Sequence, residues 1–466
     1  MAYNGQACDC CCIRRVKCDR KEPCNCCLQH NLQCTYLRPL KKRGPKPVKT
    51  RNLKKIDNVH AVAKCSSLGM MKAQKALVDQ CLRLYNDKLY VIWPLLCYDD
   101  LHKLLEERYD EKCVYWFLLS LSAATLSDLQ TEIESEEGVT FTGKQLSSSC
   151  MSSRHEFDDF NGSDIFKIMT YYCLNRCYAQ MSNSRTSYRL SCEAVGLIKL
   201  AGYHREETLK HLPFNEQQLG RKVYYLLLLT ERYFSVYTHC STSLDTTIAP
   251  PQPEIVTDPR LSLDSFLEMI RVFTVPGKCF FDALATDCAN VTCTEESLKK
   301  IWKELHTVPL EIEPWSYGYV DISFSRHWIR TLAWKLVLQR SGMRISFLSN
   351  NRNAHIPVEV AREMLEDTFL IPKNLYSVHG PGISVKALEI ADALVDVVNQ
   401  YDPNIESEAW SFLFDISKFV FSLKHCDSTL VDKFKKKCQC ALITLPISKP
   451  LESTDSTKED SDILID

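Results

Sequence analysis

The chain has 466 residues, 45% hydrophobic and 25% charged, enough to bury a sizeable core and to fill about two to four domains, and neither a disordered nor a fibrous polymer fits that balance. Only 14 residues are Gly, so tight β-turns are few and helices are favoured. The net charge of -1 hides an asymmetry: residues 1–55 carry 14 Lys or Arg against Asp9, Asp19 and Glu22, a net +11, which leaves -12 for the rest, and a basic head on an acidic body suits a head that meets a polyanion.

Of 24 cysteines, nine lie in the first 34 residues. The opening MAYNGQACDC is polar and has no apolar signal segment, so an intracellular, reducing compartment is expected, with the sequons at Asn161 and Asn290 unused. Metal ligation then explains the clustered thiols better than disulfides do. The longest apolar runs, such as CVYWFLLSLSAATL at 113–126, fall short of the roughly 20 residues that span a bilayer, so no membrane helix is expected.

The cluster is an internal repeat. One choice of six thiols gives two matching halves, Cys8, Cys11, Cys18 and Cys24, Cys27, Cys34, with two and then six residues between successive members. Two tetrahedral zinc ions need eight metal–sulfur bonds, so six thiolates suffice only if two of them bridge. In each half the pair with two residues between predicts a short helical turn whose free N–H groups favour thiolate charge. Val16 and Leu32 hold equivalent positions and are expected to pack inward. Arg14, Arg15 and Lys17 lie in the first half, where the second has His30, Asn31 and Gln33. The first helix is therefore expected to read nucleic acid, Arg through paired bonds to guanine and Lys as a point charge on phosphate.

CDCCCIRRVKCDRKEPCNCCLQHNLQCTYLRPLKKRGPKP resembles the fungal Zn2Cys6 binuclear-cluster transcription factors, most closely their yeast maltose-regulator subfamily. The resemblance implies two structural zinc ions, bridging by Cys8 and Cys24, base contacts from Arg14 and Arg15 on CGG triplets, Lys17 beside phosphate, a nuclear location, and control of sugar or other carbon-source genes under a metabolite inducer. Cys12 and Cys26 depart from the pattern, standing where such factors commonly carry Arg or another polar residue, and Cys10 is a further thiol outside the six. These three read as small, partly buried residues or as redox-sensitive thiols.

After Cys34, the prolines Pro39, Pro45 and Pro47 and the mutually repelling cations predict an extended linker. Its Lys41, Lys42, Arg43 and Lys46 suit a nuclear import signal, a phosphate-tracking arm, or simple solubility. A seam through Leu53, Ile56, His60 and Ala63 is poor material for a zipper, so homodimerisation through the body and binding as a monomer both stay open.

From Met70 the pattern is helical, with Met71, Val78, Cys81, Leu82, Tyr85 and Leu89 at helical spacing and no proline between Pro94 and Pro213. Gly220–Tyr237 predicts a buried helix with Arg221, Lys222, Glu231 and Arg232 near its ends, and PWSYGYVDISFSRHWIRTLAWKLVLQR and VKALEIADALVDVVNQY predict two more. IWPLLCYDDLHKLL, YRLSCEAVGLIKLAGYHREE and LGRKVYYLLLLTERYFSVY are similar, in that order, to the helical middle homology region of the same factors. His204, Arg205 and Glu206 read as structural.

The expected class is thus mostly α: a Zn2Cys6 domain over 1–36, a basic linker over 37–69, a helical regulatory domain over 70–445, and an acidic tail over 446–466. The tail's acid-and-apolar pattern suits either a solvated end or an activation segment that recruits transcription machinery. The expected function is a double-stranded DNA-binding transcription regulator. Its alternative is a zinc-dependent interaction or redox-sensing module. Metalloprotease, phosphate-loop and nucleophile-elbow motifs are missing, and a closed thiolate shell offers water no open zinc position, which argues against an enzyme.

Overall fold

The computed structural model describes residues 7–36, 68–134, 140–158, 165–253, 258–285, 295–307, 312, 316–340, 355–372, 375–398, 403–423 and 428–440. The linker cations Lys41, Lys42, Arg43 and Lys46, the Leu53–Ala63 seam, both sequons and the acidic tail lie outside these residues. The chain divides into two units, Met1–Ser67 and Leu68–Asp466.

The first unit holds α1 (Asp9–Ile13) and α2 (Asn25–Gln29). The second opens with α3 (Leu68–Lys88), α4 (Tyr98–Glu107) and α5 (Lys112–Leu129). Strands β1 (Ile133–Glu134) and β2 (Thr140–Phe141) follow, paired antiparallel with Ile133 opposite Phe141. Next come α6 (Gly143–Ser152), α7 (Arg154–Asp158), α8 (Ile165–Gln180), α9 (Ser184–Leu200), α10 (Glu206–Lys210) and α11 (Phe214–Thr238). The unit continues through α12 (Asp264–Thr274), α13 (Gly277–Ala285), α14 (Glu295–Thr307), α15 (Tyr317–Arg340), α16 (His355–Leu370), α17 (Pro381–Val398), α18 (Pro403–Ser422) and α19 (Ser428–Cys440). The body is helical, as its low glycine content and periodicity predict.

Helix α5 is apolar on every side, which suits a helix enclosed by others, and it packs most extensively on α8, with α6 and α3 also against it. Its buried hydroxyls cause no loss, because Ser122 and Thr125 donate to the carbonyls of Leu118 (2.8 Å) and Leu121 (2.9 Å) one turn back. Gln130, in left-handed conformation, ends it. Val78, Cys81, Leu82, Tyr85 and Leu89 join α5, α8 and α11 in one apolar core, while α15 to α19 build a second and α12 to α15 a third.

Helix α11 is buried as expected but begins at Phe214, so Arg221 and Lys222 sit well inside it and are themselves buried. Each has a partner instead of solvent. Arg221 pairs with Glu206 (Nη2 to Oε1, 2.5 Å) and Lys222 meets the Tyr90 hydroxyl at 3.2 Å. Arg232, fully buried, donates to the Phe273 carbonyl at 2.6 Å. His204 accepts from Thr247 through its carbonyl (2.7 Å). No described helix is long and apolar enough to cross a membrane.

Candidate metal centre and nucleic-acid face

The two halves of the cysteine repeat fold alike. Cys8 and Cys24 are the residues just before α1 and α2, and each Sγ accepts the N–H three residues on, from Cys11 and from Cys27, at 3.4 Å in both cases. Each helix then closes in the same way: the N–H of Val16 bonds the Cys11 carbonyl (3.1 Å) and that of Leu32 the Cys27 carbonyl (3.0 Å). Inside each of these closures one residue takes left-handed backbone, Arg15 (φ 56°) and Asn31 (φ 49°). The third thiol of each half lies outside the helices and accepts a backbone N–H, Cys18 from Arg20 and Cys34 from Cys24, both at 3.4 Å.

These turns gather all six sulfurs of the repeat. The Sγ atoms of Cys8, Cys11, Cys18 and Cys24 lie within 4.8 Å of one another, and so do those of Cys8, Cys24, Cys27 and Cys34. Cys8 and Cys24 belong to both groups and stand 3.7 Å apart. Cys10, Cys12 and Cys26 belong to neither, and Cys10 donates instead to the Gln33 carbonyl at 3.3 Å. Burial raises the Cys24 thiol, but the Cys27 N–H and its thiol neighbours outweigh it and bring it down to about 6. Burial, together with donation to those neighbours, pushes Cys11 and Cys27 far up. Cys11 and Cys27 therefore hold protons that an incoming divalent cation would displace, and the six sulfurs, once deprotonated, form a closed, sulfur-only shell suited to zinc.

Arg14, Arg15 and Lys17 are all exposed, on the turn that ends α1. Val16 and Leu32 do not pack inward: they are 39% and 38% exposed. The sulfurs fill the interior of this small unit, so a side chain just past either helix end covers only one side of the cluster. Sequence reasoning also missed a clasp between the residues that follow the first and last thiols. Thr35 donates through Oγ1 to Asp9 (2.9 Å) and accepts the Asp9 N–H (2.8 Å). Their adjacency to the ends of the repeat was the available signal, and no spacing rule points to it.

Residues 6–43 match the fungal Zn(2)-Cys(6) binuclear cluster domain. Over its whole length the chain is 89% identical to the whole of the respiratory transcription factor ZNF1 of Saccharomyces cerevisiae, and 68% identical to the whole of the maltose fermentation regulatory protein MAL63 of that yeast. With the probable sucrose utilization protein SUC1 of Candida albicans it shares 26% identity over 94% of the chain and 88% of the relative. The chain belongs to the fungal Zn(2)-Cys(6) binuclear cluster transcription regulators. As in that family, its cofactor is zinc, two ions in a structural role, and its function is DNA-binding regulation. The thiol chemistry fits zinc on its own terms, because six sulfurs arranged as two overlapping groups of four provide the eight bonds that two tetrahedral ions need.

Proposed function

We propose that Cys8, Cys11, Cys18, Cys24, Cys27 and Cys34 are the zinc ligands, with Cys8 and Cys24 bridging. Zinc supplies no reaction here: it cross-links two helical turns too short to be stable alone and so presents α1 in a fixed pose. Arg14 and Arg15 contact guanine edges of CGG-type half-sites in the major groove and Lys17 contacts phosphate. Lys41, Lys42, Arg43 and Lys46 add phosphate contacts or direct nuclear import. The single observation that carries the reading is one-sided charge on a two-fold repeated scaffold. The α1 turn carries three exposed cations where the α2 turn carries His30, Asn31 and Gln33.

The protein then works in the nucleus as an activator of carbon-source genes, maltose-type sugar utilisation among them. The names of its maltose and sucrose relatives support this. A homodimer, contacts with transcription machinery and a metabolite inducer belong to the same reading. A zinc-storage or redox-sensing role is the weaker alternative, since it leaves those exposed cations without a purpose.

The test is selection from randomised duplex DNA with the full chain, run with zinc and with a chelator. Enrichment of CGG triplets that vanishes with chelator is expected. No zinc-dependent enrichment by a chain holding two zinc ions would overturn it.

A further inference from the structure

Helices α14 and α16 each pack on α15 and serve different apolar cores, α14 the third and α16 the second. Their side chains meet at one place. Glu359 and Glu363 stand four residues apart on α16, which puts both carboxylates on one face of that helix, and His306 reaches them from the last turn of α14. One ring nitrogen of His306 lies 3.3 Å from Glu363 Oε1 and the other 3.8 Å from Glu359 Oε1. One donor atom from each of the three lies within 4.8 Å of the other two, and all three side chains are open to water, from 28% exposed at Glu363 to 39% at His306.

Two of the three are held from behind. Trp302 stacks on the His306 ring, with centroids 5.5 Å apart and planes 2° from parallel, and Arg326 fixes the same helix end by donating from Nε to the Leu305 carbonyl at 2.9 Å. Arg330, 1% exposed, donates from Nη1 to Glu363 Oε2 and reaches Oε1 with Nη2 at 3.4 Å, so the carboxylate is set with Oε1 toward the histidine. Partners of this kind orient a ligand set before a metal arrives. Bonding capacity is left over. Among the described residues neither Glu359 nor the His306 ring makes a side-chain hydrogen bond, and Arg330 Nε and the Trp302 indole nitrogen are buried without a partner.

We infer that His306, Glu359 and Glu363 form a third cation site, separate from the cysteine cluster, for a divalent first-row transition ion. The donor set selects the class: one imidazole nitrogen with two carboxylate oxygens suits a borderline ion such as zinc, whereas magnesium and calcium favour oxygen alone. Metal–ligand bonds of about 2.0–2.2 Å in a tetrahedral shell put ligand atoms roughly 3.3–3.6 Å apart, so the separations seen here need little movement. Three side chains leave the fourth position to water or hydroxide, an acceptor for the donors that Arg330 and Trp302 leave unbonded. His327 lies beside the group but is engaged elsewhere, its Nε2 3.1 Å from Asp367 Oδ2 and its Nδ1 3.5 Å from Arg330 Nη1. With three ligands, one of them shared with a guanidinium, the site is weaker than the six-thiolate shell, and dialysis clears it while the cluster keeps its two ions. An ion here ties α14 to α16 and so the third apolar core to the second. Its effect lies in the body, apart from the turn proposed to read DNA.

The experiment is a zinc titration of the untagged full chain, dialysed to two ions, in competition with a chromophoric chelator and repeated with magnesium in excess. Saturable binding of one further zinc ion is expected. Magnesium and the combined Cys10→Ser, Cys12→Ser and Cys26→Ser variant should leave it unchanged, while His306→Ala and Glu359→Gln, at half-exposed positions, should each weaken it about tenfold or more. A second readout needs no variant: the added ion should slow amide exchange at the end of α14 and along α16 of the unmodified chain and leave α1 and α2 as they were. No saturable third ion, its loss in the cysteine variant, its full retention in both folded His306 and Glu359 variants, its displacement by magnesium, or unchanged exchange in α14 and α16 would each overturn the inference and leave His306 as an ion-pair partner of the two glutamates.

Discussion

Arg15 and Asn31 occupy the same left-handed position, two residues past the end of α1 and of α2, with φ of 56° and 49°. Asn accepts this conformation with little penalty, whereas a long side chain costs about 1 kcal/mol. The fold thus places a strained residue on the turn proposed to read DNA and a relaxed one on its twin, which is where a functional demand would put strain.

Arg15→Asn should therefore separate stability from binding. The zinc-loaded unit should resist chelator-driven unfolding at least as well as the parent, with a gain of up to about 1 kcal/mol. Affinity for a CGG duplex should fall about tenfold or more, because a good paired guanine contact is worth about 1–3 kcal/mol. Fluorescence anisotropy across a salt series checks it, and an unchanged affinity would remove Arg15 from the DNA contacts.

The thiols should fall into three classes when zinc content is measured. Cys10→Ser should keep both ions, Cys18→Ala should empty the site that Cys18 serves, and Cys8→Ala should lose both, since Cys8 lies in both four-sulfur groups. Equal metal loss from the Cys10 and Cys18 variants would overturn the ligand assignment.

Glu206 should make a measurable part of the body's pH dependence. Hydrogen bonding to Arg221 is the largest influence on its carboxyl and, with the Ala249 N–H, holds it at about 2, against about 4.5 when unfolded. A depressed carboxylate stabilises the fold above its unfolded value and loses that contribution as pH falls toward 2. At pH 6, Glu206→Gln should cost about 2 kcal/mol, the usual loss for a hydrogen bond to a charged group. The gap between the two proteins in urea unfolding should narrow steadily between pH 5 and pH 3. A gap independent of pH would mean that the ion pair contributes nothing.

Gly143→Ala should destabilise the body by about 1–3 kcal/mol through overpacking. A Cβ there would meet Ser127 Oγ at 2.1 Å and the Ala123 carbonyl at 2.7 Å, where α6 starts against α5. Thermal unfolding of the body should shift downward while zinc content stays at two ions.

The six-thiol repeat and the helical body were legible because each has a period: two and six residues between sulfurs, and the 3.6-residue recurrence of apolar side chains. What sequence could not give depends on contacts between distant positions. Arg221 and Lys222 look like end charges in a local window, yet Glu206 and Tyr90 receive them inside the core. Val16 and Leu32 look like core residues, yet sulfur already fills the interior of their unit. Asp128, Arg176, Asp321 and Lys386 belong to four helices, and each alone reads as an ordinary charge on a helix surface. Only the fold brings them around one cavity.

The shared sulfurs carry a further consequence. On the proposed ligand assignment, a metal that settles in one four-sulfur group also fixes the positions of Cys8 and Cys24, which the other group shares. The two metal positions are then coupled through their shared sulfurs, and the pose of the turn proposed to read DNA depends on both of them and not on one alone.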